Sequence, residues 1–258
     1  MSRLVCQMYG FRKEIEKDPY ECFKRIKEIG FDKIQLDGMR GRKPEEIKDA
    51  IDKAGLIVGS MHIKHDRFIS DVDGIIEEGN LFNCKEVYLK YIEDEFQVEY
   101  GYKFTKYALI KAAKKLIEAG FSVGFHSPEY DFNNLVDGKK VMDYICSEED
   151  GICVHPEPDT YWLSVAKEDP LTYCKKYSGR ILTMHFKDID TSIDLMDMEN
   201  NLKECGNGNV DFRSIMKWGY ANDVKSFAIE QDSSKIGIYE SFKISFENLK
   251  KIEEEINK

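Results

Sequence analysis

Apolar and polar positions along the chain switch repeatedly between a helical period and a short β-rich run. Three segments show the pattern most plainly: IKEIGFDKIQLDG (26–38), IDKAGLIVGSMHI (51–63) and LIEAGFSVGFHS (116–127). Each closes an amphipathic charged helix, passes through a glycine and an apolar residue, and enters a strand-like stretch. Gly30, Gly55 and Gly120 stand where a helix C-terminus calls for positive φ, and Gly151 and Gly179 follow the same grammar. Strands are expected to begin near Leu4, Lys33, Ile57, Glu86, Ser122, Ile152, Ile181 and Ser226. Helices are expected over 19–29, 44–54, 72–82, 102–119, 139–147, 170–177, 211–218 and 240–257, with Pro19, Pro44 and Pro170 at or near helix starts, where a missing N–H is harmless. Eight alternating β and α units imply a parallel sheet. In 258 residues they fit an α/β fold, a single (β/α)₈ TIM barrel spanning 1–258. No glycine-rich dinucleotide or phosphate-loop motif follows the first strand, which removes the main support for an open nucleotide-binding sheet.

Side-chain parity then separates two faces on each strand. Ser60 and His62 share one face; so do Ser122, Gly124 and His126, then Thr183, His185 and Lys187, then Ser226, Ala228 and Glu230. The bland reading places these polar faces in solvent. Parallel strands, however, are covered on both sides, and each unpaired buried polar group costs about 1–3 kcal/mol. A shared ligand or metal at the C-terminal end of a barrel removes that cost, and barrel enzymes keep their sites there. His126, Asp159, His185 and Glu230 end strands five to eight. Two imidazoles and two carboxylates make a mixed N/O site for a divalent cation such as Mn²⁺, Zn²⁺, Co²⁺ or Mg²⁺.

Composition narrows the partners. Lys plus Arg number 38 against 48 Asp plus Glu, a formal net charge of −10. That balance repels polyphosphate and argues against nucleic acid. No uncharged stretch approaches the ~20 apolar residues of a membrane helix. Seven cysteines without a C-x-x-C pair, and an opening without signal-peptide character, lead to the expectation of reduced thiols in a cytoplasmic protein.

The run EPDTYW (157–162), then DP (169–170) and GRILTMHFKD (179–188), resembles the xylose-isomerase-like sugar phosphate isomerase/epimerase family. GNGNVDF (206–212) matches that family's G-x-G-x-x-D-F, AIEQD (228–232) its E-x-D, and FHSPEYDF (125–132) its H-N-H-x-x-E-F with two substitutions and a shortened acid. The resemblance implies a metal on 126, 159, 185 and 230. It also implies isomerisation or epimerisation of a small sugar, ketose or sugar phosphate through an enediolate-type intermediate. His126 stands where better-known sugar epimerases carry Glu, a departure shared by inosose-dehydratase-like relatives, so dehydration on the same site is the alternative. A non-catalytic sugar-binding relative is the alternative from another class. Barrels of this type often associate, so a homo-oligomer is in keeping with the resemblance.

Roles follow from chemistry. Glu230 is the first choice for general base, since proton abstraction beside a carbonyl needs a positioned carboxylate. Lys187 is its electrophilic or acid partner, or else forms an ion pair with Asp188 or Glu157. His62 and Trp162 are candidates for substrate contact, with core packing as the competing reading. Asp131 and Glu204 are candidates for orienting substrate, with ordinary surface acids as theirs. His65 is expected in a solvated loop. GNGNVDF is expected either to bind an anion through backbone N–H groups or, more plainly, to turn the chain with Asp211 as a helix N-cap.

Overall fold

Residues 2–258 are described by the computed structural model. Eight strands form one parallel sheet: β1 (Leu4–Gln7), β2 (Lys33–Leu36), β3 (Ile57–Ile63), β4 (Glu86–Leu89), β5 (Ser122–His126), β6 (His155–Glu157), β7 (Thr183–Phe186) and β8 (Ser226–Ile229). Neighbours pair in chain order from β1 to β6, and β1 pairs with β8, which pairs with β7. Between β6 and β7 the ring is joined by a single parallel bridge, Asp159 to His185, where the His185 N–H donates to Pro158 O at 2.9 Å. The fold is thus the α/β barrel that the alternating pattern predicts.

The helices that cover it are α1 (Pro19–Ile29), α2 (Pro44–Ala54), α3 (Val72–Leu81), α4 (Glu99–Glu118), α5 (Val141–Ile145), α6 (Pro170–Lys175), α7 (Phe212–Ala221) and α8 (Ile238–Ile256). Each lies within three residues of its expected span. Carboxylates start several of them: Asp18, Asp71, Asp169 and Asp211 accept backbone N–H groups of α1, α3, α6 and α7. Gly55 and Gly120 take φ of +71° and +82° at the ends of α2 and α4, where an L side chain would be strained. β6 and β7 begin at His155 and Thr183, later than the expected Ile152 and Ile181. Ile152 pairs instead with Glu149 in a tight turn, and Arg180 holds Cys146 O and Val154 O before β7 starts.

Two faces emerge as parity requires. Leu4, Cys6, Ile34, Leu36, Val87, Leu89, Phe125, Met184, Phe186, Phe227 and Ile229 are buried outside the ring against the helices. Inside, Tyr88 is fully buried and occupies the space that Gly124 leaves, since a Cβ at 124 would collide with its ring. The chain's two ends meet on Glu253 of α8, which accepts from Ser2 Oγ at 2.7 Å, Arg3 N–H at 2.8 Å and Tyr220 OH at 2.6 Å. Among the described residues, no helix is long and apolar enough to cross a membrane.

Candidate active site

Four buried side chains converge where β5 to β8 end. Ligand atoms of His126, Asp159, His185 and Glu230 all lie within 4.8 Å of one another. Local structure leaves one free atom on each of two residues. Asp159 starts a short helix (Thr160–Val165), and its Oδ1 accepts the Tyr161 and Trp162 N–H groups at 2.7 and 3.1 Å. Its Oδ2 has no hydrogen-bond partner, and its nearest cation is the Lys187 ammonium at 3.5 Å. His126 donates from Nδ1 to Lys90 O at 2.8 Å, which fixes the ring and leaves Nε2 equally unpartnered. These two orphaned atoms lie 3.7 Å apart. His185 Nδ1 stands 3.8 Å from Asp159 Oδ2 and 3.0 Å from Glu230 Oε2, while its Nε2 meets Gln35 Oε1 at 2.6 Å. Metal-bound imidazoles are commonly held by their second nitrogen in this way. A buried polar atom without a partner is costly, and a divalent cation among these donors satisfies both orphans at once. The residues fit such an ion.

Electrostatics describe the ion-free site, in which His185 carries a proton that it must release to coordinate a cation. Burial alone would lower the His185 pKa, but the carboxylates of Glu157 and Glu230 raise it to about 10. Against the same burial, Lys187 and His185 hold Glu230 well below the usual carboxylate range. Lys187 is buried at the centre of the acids, 2.9 Å from Glu230, 3.5 Å from Asp159 and 3.2 Å from Asp232. Its partners are therefore these three acids, and neither Asp188 nor Glu157 of the expected ion pairs. Its ammonium also lies 5.1 Å from the Trp162 ring centre, which brings Trp162 to the edge of the cluster.

A second group, His62, Glu157 and His185, is also close enough to hold an ion, but its atoms already satisfy one another. His62 Nε2 meets Glu157 Oε2 at 2.7 Å, and Gln35 Nε2 donates to Glu157 Oε1 at 2.6 Å and to Ser60 Oγ at 3.0 Å. Burial lowers His62 to about 4 despite Glu157, so its ring is neutral. It stacks on His185 with ring centres 5.0 Å apart. This network supports the first group from below.

The remaining candidates lie elsewhere. Glu204 accepts from Ser241 Oγ of α8 at 2.8 Å. Asp131 is fully buried in a short turn of helix (Tyr130–Asn133), and both its oxygens lack partners. His65 is not solvated: it is buried at the start of a short helix (His65–Ser70), with Nε2 2.9 Å from Thr105 Oγ1. The backbone nest of GNGNVDF is filled from within. Asp188 accepts the N–H groups of Gly206, Gly208 and Val210 at 2.9, 2.8 and 3.0 Å. Asp211 caps α7 as expected. Gln35, Glu157 and Asp232 escaped the sequence reading as members of this cluster. The alternation of Lys33, Gln35 and Asp37 with Ile34 and Leu36 carried the signal for Gln35.

No protein-family model and no curated protein sequence matches the chain. Solved structures share its fold. A sugar phosphate isomerase/epimerase from Parabacteroides distasonis is 17% identical with a TM-score of 0.78, over 96% of this chain and 94% of that one. An L-ribulose 3-epimerase is 15% identical with a TM-score of 0.72, over 100% and 96%. The IOLI protein with a bound zinc atom is 12% identical with a TM-score of 0.69, over 99% of each chain. What these proteins share with the chain is the (β/α)₈ barrel fold.

Proposed function

We propose that this xylose-isomerase-like barrel is a divalent-metal-dependent isomerase or epimerase of a small sugar, ketose or sugar phosphate. One observation carries the reading: His126 Nε2 and Asp159 Oδ2 are buried, lack hydrogen-bond partners and stand 3.7 Å apart, with His185 and Glu230 in the same coordinating reach. His126, Asp159, His185 and Glu230 would hold the ion. When bound, a divalent ion supplies Lewis-acid polarisation of adjacent hydroxyl and carbonyl oxygens.

The chain's own residues do the rest. Glu230 is the carboxylate placed to take a proton from the carbon beside the carbonyl. Lys187, cationic and 2.9 Å from Glu230, faces the negative charge that develops on the enediolate oxygens and can return a proton to oxygen. Trp162, beside that ammonium, offers an apolar wall for one face of the sugar. Gln35 and Glu157 keep the His185 ring in place, and His62 is held by the same Glu157. Return of the proton to carbon gives isomerisation or epimerisation. Lys187 also supports a second outcome, since a buried ammonium beside the base can protonate a departing hydroxyl and so give dehydration.

Metal analysis of the purified protein tests the site. Near-stoichiometric divalent metal is expected, falling at least tenfold in Asp159→Ala and His185→Ala. Incubation of candidate ketoses in deuterated water then reads the chemistry: deuterium at the carbon beside the carbonyl, absent in Glu230→Gln, is the expected result, and loss of water in the product marks dehydration. Folded wild-type protein that takes up no metal, or takes it up equally in both alanine variants, overturns the assignment.

A further inference from the structure

A second charged group sits at the same end of the barrel, and the reaction above makes no use of it. Tyr9 follows β1, Asp37 and Arg40 follow β2, and Lys90 follows β4. Arg12 reaches across to Asp232 O, beyond β8, at 3.2 Å. Three cations gather on one ring: the Arg12 guanidinium lies 4.2 Å from the Tyr9 ring centre, the Lys90 ammonium 4.3 Å and the Arg40 guanidinium 5.8 Å. A single carboxylate stands among them. Asp37 pairs with Lys90 at 2.7 Å and also with Arg40. Arg12 Nη1 has only the carbonyls of Tyr9 and Asp232. Asp37 is the one carboxylate in direct contact with these cations; Glu230 and Asp232 act on Lys90, and Glu16 on Arg40, from farther away.

Two features separate the group from an ordinary solvated patch. The cations are largely withdrawn from water, with Lys90 and Arg40 side chains 19% and 21% exposed, and Arg40 Nε is buried without a partner. Gathering like charges out of water is unfavourable unless an anion joins them. Arg40 is moreover held at φ +50°, a conformation that costs energy for a residue with a side chain.

The geometry points to an anion subsite formed by Arg12, Arg40 and Lys90, which binds a carboxylate or phosphate group on the substrate. The inference rests on the sugar-transforming reading of the neighbouring centre and names the class of its substrate: a small polyhydroxylated carbonyl compound with an acidic group at one end. Lys90 joins the two halves, since its carbonyl accepts from the metal-facing His126 while its ammonium belongs to the lip. A guanidinium offers paired N–H donors to two oxygens of one anion, and a lysine adds a point charge. A neutral polyol would have no use for either.

Calorimetric titration of metal-loaded protein with inorganic phosphate, acetate and glycerol tests the inference, with metal content measured in every sample. Saturable binding of phosphate or acetate is expected, with no binding of glycerol. Lys90→Gln and Arg40→Gln should each weaken that binding at least tenfold while metal stoichiometry stays intact. Two variants are needed because Lys90 is the more buried, and a fold defect there would leave Arg40→Gln to decide. The stronger of the two anions identifies the acidic group as phosphate or carboxylate. Binding that both variants retain, or that disappears only when metal is removed, overturns the subsite. Loss of the metal with anion affinity preserved strikes the reading of the neighbouring centre instead and leaves the subsite standing.

Discussion

At the scale of single residues, the pattern of satisfied and unsatisfied atoms distinguishes function from packing. His126 and His185 each spend one nitrogen on a fixed acceptor and turn the other toward Asp159. Asp131 is the contrary case, a buried carboxyl with no donor in reach and Glu129 nearby. Burial, with Glu129 adding to it, pushes its pKa well above the ordinary value. The folded protein therefore keeps a proton that the unfolded chain releases above a pH of about 3.9. Where the folded state binds more protons, stability falls as pH rises. Asp131→Asn should accordingly gain on the wild type as pH rises from 4 to 8, since its amide has no charge to bury. Melting temperatures across that range read the effect, and a difference that stays flat with pH would show Asp131 to be ionised and paired.

Elements are where the sequence was most legible, and the reason is periodicity. Prolines at the start and glycines at the end bracket α1 and α2, with Asp18 capping α1, so tightly that both match their expected spans, Pro19–Ile29 and Pro44–Ala54. Parity alone put His62, His126, His185 and Glu230 on inward faces. What parity could not show is which polar atoms find one another across the barrel, because those contacts join distant positions: Gln35 with His185, or Lys187 with Asp232. His65 was misjudged for the same reason, as its partner Thr105 lies on α4, forty residues on. The glycine-rich loop was read as either an anion nest or a plain turn, and it combines the two, with Asp188 as the anion. Gly208 is required there, since a Cβ would strike the Asp188 carboxylate and Ile189 O. Gly208→Ala should lower stability by about 1–3 kcal/mol, read as an earlier denaturant midpoint at unchanged slope. An unaltered midpoint would mean that the loop gives way freely.

For the molecule as a whole, the ring of strands is unevenly fastened. Seven junctions are paired strands, whereas β6 meets β7 through one bridge, at Asp159 and His185. Both residues of that bridge belong to the four proposed to hold the ion. A hoop with one loose joint opens there first, and a cation gripping both sides of the joint acts as its clasp. Backbone amide exchange should therefore slow at least tenfold around 159–161 and 183–186 when Mn²⁺ or Zn²⁺ is added, with β2 and β3 little changed. Equal slowing throughout the barrel would deny the joint any special weakness. The consequence reaches beyond binding: the place where the proposed chemistry needs fixed geometry is also where the barrel is least able to provide it alone, so cofactor supply would govern how long the hoop stays shut.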